Sequence, residues 1–160
     1  MERYARWSAG EVTDRVVIVY DTMWGSTEKM AMAIAEGITA GGVTVRLCKA
    51  SATPRSAIMR EILDAKAVVL GTPTLNLGMF PSMADVVVYM KGLRPRGRFG
   101  ACFGAYGWSA GGVKAMRELA TGSGIELPFE DLEVRFNPTE ADLSRCHELG
   151  LSIAKKIIMG

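Results

Sequence analysis

Apolar runs alternate with helix-period segments from Arg15 onward, and this alternation limits the fold more than any other feature of the chain. The predicted strands cover residues 15–20, 43–48, 66–71, 98–105 and 125–136, and the predicted helices cover 26–40, 54–64, 80–91, 110–121 and 139–158. The first, third and fourth strands are continuously apolar, as strands are when helices cover both faces of a sheet. Five such units predict a doubly wound parallel α/β sheet.

Local signals place the ends of these elements. Gly41–Gly42 is predicted to end the first helix, and Gly92 to end the third. Thr139 with Asp142 is typical of a helix N-cap that has an acidic first turn. Pro128 interrupts the fifth strand, which indicates an edge position in the sheet.

Composition narrows the class of protein. The chain has 160 residues, of which 49% are hydrophobic, and this predicts one domain over residues 15–160 after an N-terminal tail or linker, residues 1–14. A net charge of +2 gives no reason to expect nucleic-acid or membrane binding. No apolar run approaches the ~18 residues of a membrane span, and no signal peptide is recognisable. We therefore expect a cytoplasmic protein.

Cysteine, histidine and arginine add little chemistry. The three cysteines form no Cys-x-x-Cys pair, and buried single thiols are expected at Cys48 and Cys102. One histidine cannot build a His-rich metal site. The nearest approach to a basic patch is Lys91 with Arg94, Arg96 and Arg98. It is interpreted first as a solvated loop, with docking of an acidic partner as the alternative.

The loop after the first strand has the composition of an anion site. It contains Thr22, Met23, Trp24, Gly25, Ser26 and Thr27, and it opens a helix. The first N–H groups of a helix have no internal partner, and the helix dipole favours negative charge there. Because the loop has no Lys or Arg, it would hold a phosphate through neutral donors. The alternative is that its hydroxyl groups only cap the helix.

Two further uncharged loops follow the third and fourth strands. The first offers hydroxyl, amide and apolar groups and a flexible glycine, from Thr72, Pro73, Thr74, Leu75, Asn76 and Gly78. The second places aromatic residues among glycines, with Ala105, Tyr106, Gly107 and Trp108. Ligands bind at the carboxyl ends of strands in such sheets, so the three loops should converge. Stacking on a flat ligand is the favoured role of the aromatics, and folding back onto the helix is the alternative.

Phosphate donors in one loop and aromatics in another predict a phosphorylated planar heterocycle, and FMN fits that description. The stretches 20–30, 71–76, 92–95, 103–109 and 138–143 together resemble the flavodoxin family, and more closely the flavodoxin-like domain of flavodiiron proteins (type A flavoproteins). The resemblance covers about residues 15–156. It implies a five-stranded sheet of order 2-1-3-4-5 that binds FMN without a covalent bond, through the residues named in the three loops.

The resemblance also implies partners. In that family an N-terminal metallo-β-lactamase-like domain holds a di-iron centre, which reduces oxygen or nitric oxide with electrons from the flavin. A rubredoxin-like or other redox donor would supply those electrons, and a head-to-tail homodimer would bring the flavin of one subunit to the iron of the other. This chain is then an electron-transfer domain with no catalytic residue and no metal ligand of its own.

Two positions depart from the family pattern. Ala105 stands where a small hydroxyl residue is expected, so one hydrogen bond near the flavin is missing. A stretch expected to carry an acidic residue is replaced by Ala110, Gly111 and Gly112. The residue at which the fourth helix begins is therefore left undecided. Since both loops beside the ring lack Asp and Glu, the two one-electron potentials are expected to lie closer together than in an acidic free flavodoxin.

Other classes of protein are alternatives to this one. A stand-alone electron carrier and an NAD(P)H:quinone-type flavin reductase use the same fold. A receiver domain would use Asp21, but the third strand lacks a phosphorylatable Asp. A phosphatase would need Cys and Arg in the first loop, a P-loop kinase would need Lys there, and a dinucleotide-binding domain would need Gly-x-Gly-x-x-Gly. A flavin-free dimerisation domain is the last alternative.

Overall fold

Five parallel strands form the central sheet of the computed structural model, which describes residues 13–95 and 97–160. Along the chain the elements are β1 (Thr13–Tyr20), α1 (Ser26–Ala40), β2 (Thr44–Lys49), α2 (Arg55–Asp64), β3 (Ala65–Gly71), β4 (Thr74–Leu75), β5 (Gly78–Met79), α3 (Pro81–Leu93), β6 (Phe99–Tyr106), α4 (Gly112–Gly122), β7 (Leu132–Arg135) and α5 (Glu140–Met159). A 3-10 turn, Ala50–Ala52, follows β2. The sheet order β2-β1-β3-β6-β7 confirms the predicted order, since β4 and β5 form a separate hairpin.

Helices cover both faces of the sheet, as the apolar strands predict. One face packs against α1 and α5 through buried residues such as Ile18, Ile34 and Ile153. The other packs against α2, α3 and α4 through residues such as Val19, Ile62 and Met116. Alternate residues of β1 therefore enter different cores, which is why the strand has no polar face. Among the described helices, none is both long and apolar enough to span a membrane.

Two glycines allow α1 and α5 to approach closely. A Cβ added to Gly150 would lie 2.2 Å from the carbonyl oxygen of Ile34, and one added to Gly37 would lie 2.1 Å from that of His147. Both distances are too short for any side chain, so the helix backbones touch at this crossing. The contact fixes the position of α1, whose first residue is Ser26.

The fifth strand is shorter than predicted. Strand β7 keeps only four residues at the predicted edge position, and residue 126 makes an isolated bridge to Phe99. Between them, Arg117 on α4 donates to the carbonyl oxygens of Leu127 at 2.7 Å and Phe129 at 3.2 Å, and pairs with Asp131 at 2.7 Å. A side chain thus satisfies the backbone groups that a strand ladder would have used.

Helix ends follow the predicted signals with one exception. Gly41 is the C-cap of α1, and Thr139 with Asp142 forms the predicted capping box of α5. The prediction that Gly92 ends the third helix is wrong, because α3 continues to Leu93 and ends at Arg94 in a left-handed conformation with φ of 48°. Pro95 follows Arg94 and cannot continue the helix. Strand β1 begins two residues before the predicted strand, and residues 1–12 of the predicted tail lie outside the described part.

Arg98 does not belong to a solvated basic patch. Only 4% of its surface is exposed, and its guanidinium donates to the carbonyl oxygens of Ile62 at 3.2 Å and Leu63 at 2.5 Å. It therefore satisfies carbonyl groups in the last turn of α2. Lys91 and Arg94 are exposed, and Arg96 lies outside the described residues. Burial lowers the pKa of Arg98, although nearby Asp64 opposes that shift.

We expect Arg98→Ala to lower the free energy of unfolding by about 3 kcal/mol, since it removes a buried cation and leaves carbonyl groups without their donor. Chemical denaturation of the purified variant measures this loss. Arg60→Ala is the control because Arg60 is exposed on α2, the helix whose carbonyl groups Arg98 contacts. We expect it to change the free energy of unfolding by less than about 0.5 kcal/mol. Equal effects of the two substitutions would contradict the assigned role of Arg98.

Candidate functional site

A cavity of 540 Å³ lies at the carboxyl ends of β1, β3 and β6. Its volume is within the range of small-molecule sites, roughly 300–1,000 Å³. The following residues line it: Thr22, Met23, Trp24, Ser26, Thr27, Pro73, Thr74, Leu75, Asn76, Leu77, Ala105, Tyr106, Gly107, Trp108, Ser109 and Phe136. The three predicted loops therefore converge. Of the predicted site residues, Gly25, Thr72 and Gly78 do not line the cavity.

The loop after β1 is folded as an anion site requires. Gly25 adopts a left-handed conformation with φ of 90°, its N–H donates to Thr22 Oγ1 at 2.9 Å, and α1 begins at the next residue. Gly25 itself provides no side-chain cap to the helix. The hydroxyl of Thr27 is buried and has no hydrogen-bond partner among the described residues. A buried hydroxyl without a partner at a helix N-terminus leaves a donor for an anion.

The loop after β3 contains a hairpin that the sequence did not predict. Strands β4 and β5 pair antiparallel, and the turn between them consists of Asn76 and Leu77, with φ of 50° and 65°. Both residues thus have positive φ, as in a type I′ turn, where Gly is usual at the second position. The conformational demand therefore falls on these two residues, and Gly78 lies in β5 without a left-handed φ.

Thr72 and Thr74 hold this hairpin in place. Thr72 is fully buried and accepts a hydrogen bond from the N–H of Phe80 at 3.0 Å, which closes the base of the loop. Thr74 Oγ1 accepts from the N–H of Gly112 at 3.1 Å, which is at the start of α4. The N-cap residue Gly111 offers no side-chain bond to that helix. Thr74 therefore caps α4 from another loop.

The same contact explains the run of small residues at the start of α4. A Cβ on Gly111 would lie 2.2 Å from the carbonyl oxygen of Leu77, and one on Gly112 would lie 2.9 Å from that of Gly78. The acidic residue expected near this position has no room beside the hairpin backbone at either glycine. Helix α4 starts at Gly112, two residues later than predicted.

The aromatic residues of the site lie at its mouth. Trp108 is 92% exposed and Trp24 is 88% exposed, so neither folds back onto a helix, while Tyr106 is partly buried. Phe136, from the segment after β7, joins them on the cavity wall. Exposed aromatics around a cavity supply flat apolar surfaces for a planar ligand.

Sequence reasoning missed the segment after β7. The N–H of Phe136 donates to the carbonyl oxygen of Tyr106 at 2.7 Å, and φ of Phe136 is 62°. The next residue, Asn137, accepts a hydrogen bond from Ser26 Oγ at 2.9 Å. An aromatic residue followed by Asn and Pro at the end of the fifth strand was the available signal, because that strand ends at the same edge of the sheet as the others.

The buried carboxylate of Asp21 holds the start of the loop after β1 in place through hydrogen bonds. Asp21 is 1% exposed, and its carboxylate accepts from the N–H of Thr22 at 2.8 Å, from Ser51 Oγ at 3.2 Å and from Ser82 Oγ at 2.5 Å. The carboxylate that a receiver domain would use after its first strand is thus buried and bonded to three donors. These bonds tie β1 to the turn after β2 and to the first turn of α3.

The cavity wall carries no formal charge at any of the described residues that line it. Beneath it, Tyr20 donates to Glu28 Oε1 at 2.8 Å, and burial together with that bond raises the pKa of Tyr20 to about 12. Burial also raises the pKa of Cys102 to about 12 and that of Cys146 to about 11, so both thiols stay protonated at neutral pH. No cluster of three His, Cys, Asp or Glu residues suited to a metal ion occurs in residues 13–95 and 97–160.

The sequence profile of one family, described as Flavodoxin, matches residues 18–150. The chain belongs to the flavodoxin family. A solved flavodoxin from the domain Archaea superposes on it with a TM-score of 0.81 and 28% identity, covering 90% of this chain and 99% of the other.

The resemblance to flavodiiron proteins is also confirmed for this flavodoxin domain. It is 45% identical over 158 residues to a nitric oxide reductase of Moorella thermoacetica, covering 98% of this chain and 40% of the relative. A solved rubredoxin oxygen:oxidoreductase from Desulfovibrio gigas has a TM-score of 0.94 and 40% identity, covering 99% of this chain and 39% of the other. The flavodoxin domain thus spans about two fifths of the length of these larger proteins.

FMN is the cofactor of the family, and the residues of this flavodoxin domain fit it. The unpartnered hydroxyl of Thr27 and the free N–H groups at the start of α1 suit a phosphate. The partly buried Tyr106 and the exposed Trp108 suit the face of a ring. The uncharged wall between them suits the ring and the polyol chain, and the volume of the cavity is sufficient for a ligand of this size.

Proposed function

We propose that this chain is an electron-transfer domain that takes electrons from a redox donor and passes them to a di-iron centre in a partner domain. FMN, when bound, supplies one-electron redox chemistry. The protein's part is to bind and orient that group and to set its electrostatic surroundings. Support comes from its similarity to flavodiiron proteins and from a cavity wall that offers no carboxylate, imidazole, amine or thiol among its described residues. Electron transfer needs no such group.

The residues of the wall divide this task. Thr22 and Thr27 would hold the phosphate through their hydroxyl groups, and Ser26 through its backbone N–H at the start of α1. Tyr106 and Trp108 would cover the ring, while the hairpin residues would lie along its other side. Thr72 and Gly25 would act indirectly, the first by closing the hairpin loop and the second by turning the phosphate loop. The mouth, where Trp24 and Trp108 are exposed, is the place for a redox partner to approach.

Flavin binding and electron transfer can be tested separately. The apoprotein is first titrated with FMN and with riboflavin, and we expect tight FMN and weak riboflavin binding. The FMN-loaded chain is then mixed with NADH or with a chemically reduced rubredoxin. Rapid reduction by rubredoxin and slow reduction by NADH would support the proposal. Failure to bind FMN would overturn it, and rapid NADH oxidation followed by quinone reduction would indicate a flavin reductase instead.

An added carboxylate at the rim should lower the reduction potentials of the bound flavin. Ser109 lines the cavity and is exposed, so Ser109→Asp places one negative charge near the ring. An added charge at roughly 8 Å costs about 0.5–1 kcal/mol for each electron received, which is ~20–40 mV. Spectroelectrochemical titration of the FMN-loaded variants measures the shift.

Ser152→Asp is the control, because Ser152 is exposed in the middle of α5 and the added charge is the same. We expect potentials within ~10 mV of the unaltered chain, since distance and solvent screen that charge. Equal shifts in the two variants would contradict placement of the ring beside Ser109.

A further inference from the structure

Asn137 reaches the phosphate loop from the far end of the sheet. Ser26 Oγ donates to Asn137 Oδ1 at 2.9 Å, although the two residues are 111 positions apart in the chain. Ser26 is the first residue of α1, so the amide lies at the N-terminus of the helix that would receive the phosphate. With its Oδ1 engaged by Ser26, the Nδ2 group of Asn137 presents two N–H donors at this position.

The backbone on either side fixes the position of Asn137. The N–H of Phe136 continues the sheet by donating to Tyr106 O at 2.7 Å, and the left-handed φ of Phe136 then turns the chain. On the other side, Pro138 restricts the backbone and Thr139 begins the capping box of α5. Although Asn137 is exposed, it lies between a sheet hydrogen bond and a helix cap.

The phosphate loop offers only neutral donors, which gives this placement its meaning. Thr22 to Thr27 include no Lys or Arg, and no lining residue among those described carries a charge. Thr22 Oγ1 accepts from Gly25 N and keeps its own O–H as a donor, whereas the O–H of Ser26 is already donated to Asn137. The donors that remain are the hydroxyls of Thr22 and Thr27 and the helix N–H groups. A phosphate has three strong acceptor oxygens and carries up to two negative charges, so an additional N–H donor beside this loop would strengthen its binding.

We propose that Asn137 is a positioning residue for the phosphate of FMN. Its Oδ1 orients the hydroxyl of Ser26, and its Nδ2 donates to a phosphate oxygen. The segment after β7 is then a fourth binding element beside the three loops. This inference rests on the proposed function, because it requires that the cavity holds FMN with its phosphate at α1.

The test compares FMN with riboflavin, which lacks the phosphate. Each flavin is titrated with apoprotein, and the quenching of flavin fluorescence measures binding. We expect Asn137→Ala to weaken FMN about tenfold, since a hydrogen bond to a charged group is lost, and to leave riboflavin unchanged. Asn137→Asp should weaken FMN further, because a carboxylate cannot donate and repels the phosphate. Ser152→Asp adds the same charge on the surface of α5 and should leave both affinities unchanged.

Three outcomes would overturn the inference. Equal weakening of FMN and riboflavin by Asn137→Ala would show a structural role, and unchanged FMN affinity would show no role. An Asn137→Asp variant that binds FMN as tightly as the Ser152→Asp variant would exclude contact with the phosphate. Thermal unfolding of the flavin-free variants confirms that each is folded. If the unaltered chain binds no FMN, the proposed function itself fails, whereas the three outcomes above leave it standing.

Discussion

Replacing Gly150 with alanine is expected to lower the free energy of unfolding by about 3 kcal/mol, although alanine is the better helix former by ~1 kcal/mol. The new Cβ would lie 2.2 Å from Ile34 O, 2.8 Å from Ile38 N and 3.0 Å from Gly37 Cα. All three are backbone atoms of α1, so no side-chain rotation relieves the clash. The helices must separate, and the packing on that face of the sheet is lost with them.

Gly92→Ala is the matched control for this prediction. Gly92 is also helical, but an added Cβ would find nothing within 4 Å. The same substitution should therefore raise stability by up to ~1 kcal/mol. Thermal unfolding of the flavin-free proteins should place Gly150→Ala about 10 °C below the unaltered chain and Gly92→Ala slightly above it. A Gly150→Ala protein as stable as the Gly92→Ala protein would contradict the close contact between α1 and α5.

Replacing Thr27 with valine is expected to weaken FMN binding by about 10- to 100-fold and to leave the flavin-free protein as stable as before or up to ~1 kcal/mol more stable. The two effects have one cause. Thr27 Oγ1 is buried and has no partner among the described residues, so a methyl group in its place removes an unsatisfied polar atom. The same change removes a donor to the phosphate.

Two further measurements belong to this experiment: the affinity for riboflavin and the unfolding of the flavin-free protein. Riboflavin should bind Thr27→Val and the unaltered chain equally, because it has no phosphate. Thr121→Val is the control, since Thr121 is exposed on α4 and does not line the cavity. Destabilisation of the flavin-free Thr27→Val protein would mean that the hydroxyl has a structural partner, and unchanged FMN affinity would exclude it from the phosphate site.

The fold could be predicted because its signals are local. The apolar run 16–20 predicted β1, and the glycines at 41–42 predicted the end of α1. The pairing of β1 with β2 and β3 confirmed the sheet. The three loops also could be predicted, because parallel strands bring their carboxyl ends to one edge. Hydrophobic periodicity and turn chemistry depend on residues only a few positions apart, so a single sequence is enough to predict these features.

The remaining features depend on contacts between distant segments. The hairpin of β4 and β5 has a Leu where a turn of its shape prefers Gly, so turn chemistry did not reveal it. Asn137 meets Ser26 only because β7 and β1 end at the same edge, and Arg98 is buried only because the end of α2 lies beside it. Charge and polarity predicted a surface position for Arg98, and the carbonyl groups of α2 overrode that preference.

The contact between α1 and α5 also bears on biosynthesis. Helix α1 carries the phosphate loop, yet it packs against α5, which is the last described helix to leave the ribosome. The first strand, the loop and α1 are made before α5, and they remain without this support until α5 has been synthesised. We therefore expect FMN to be acquired only after synthesis of α5, so that cellular flavin supply acts on the folded domain.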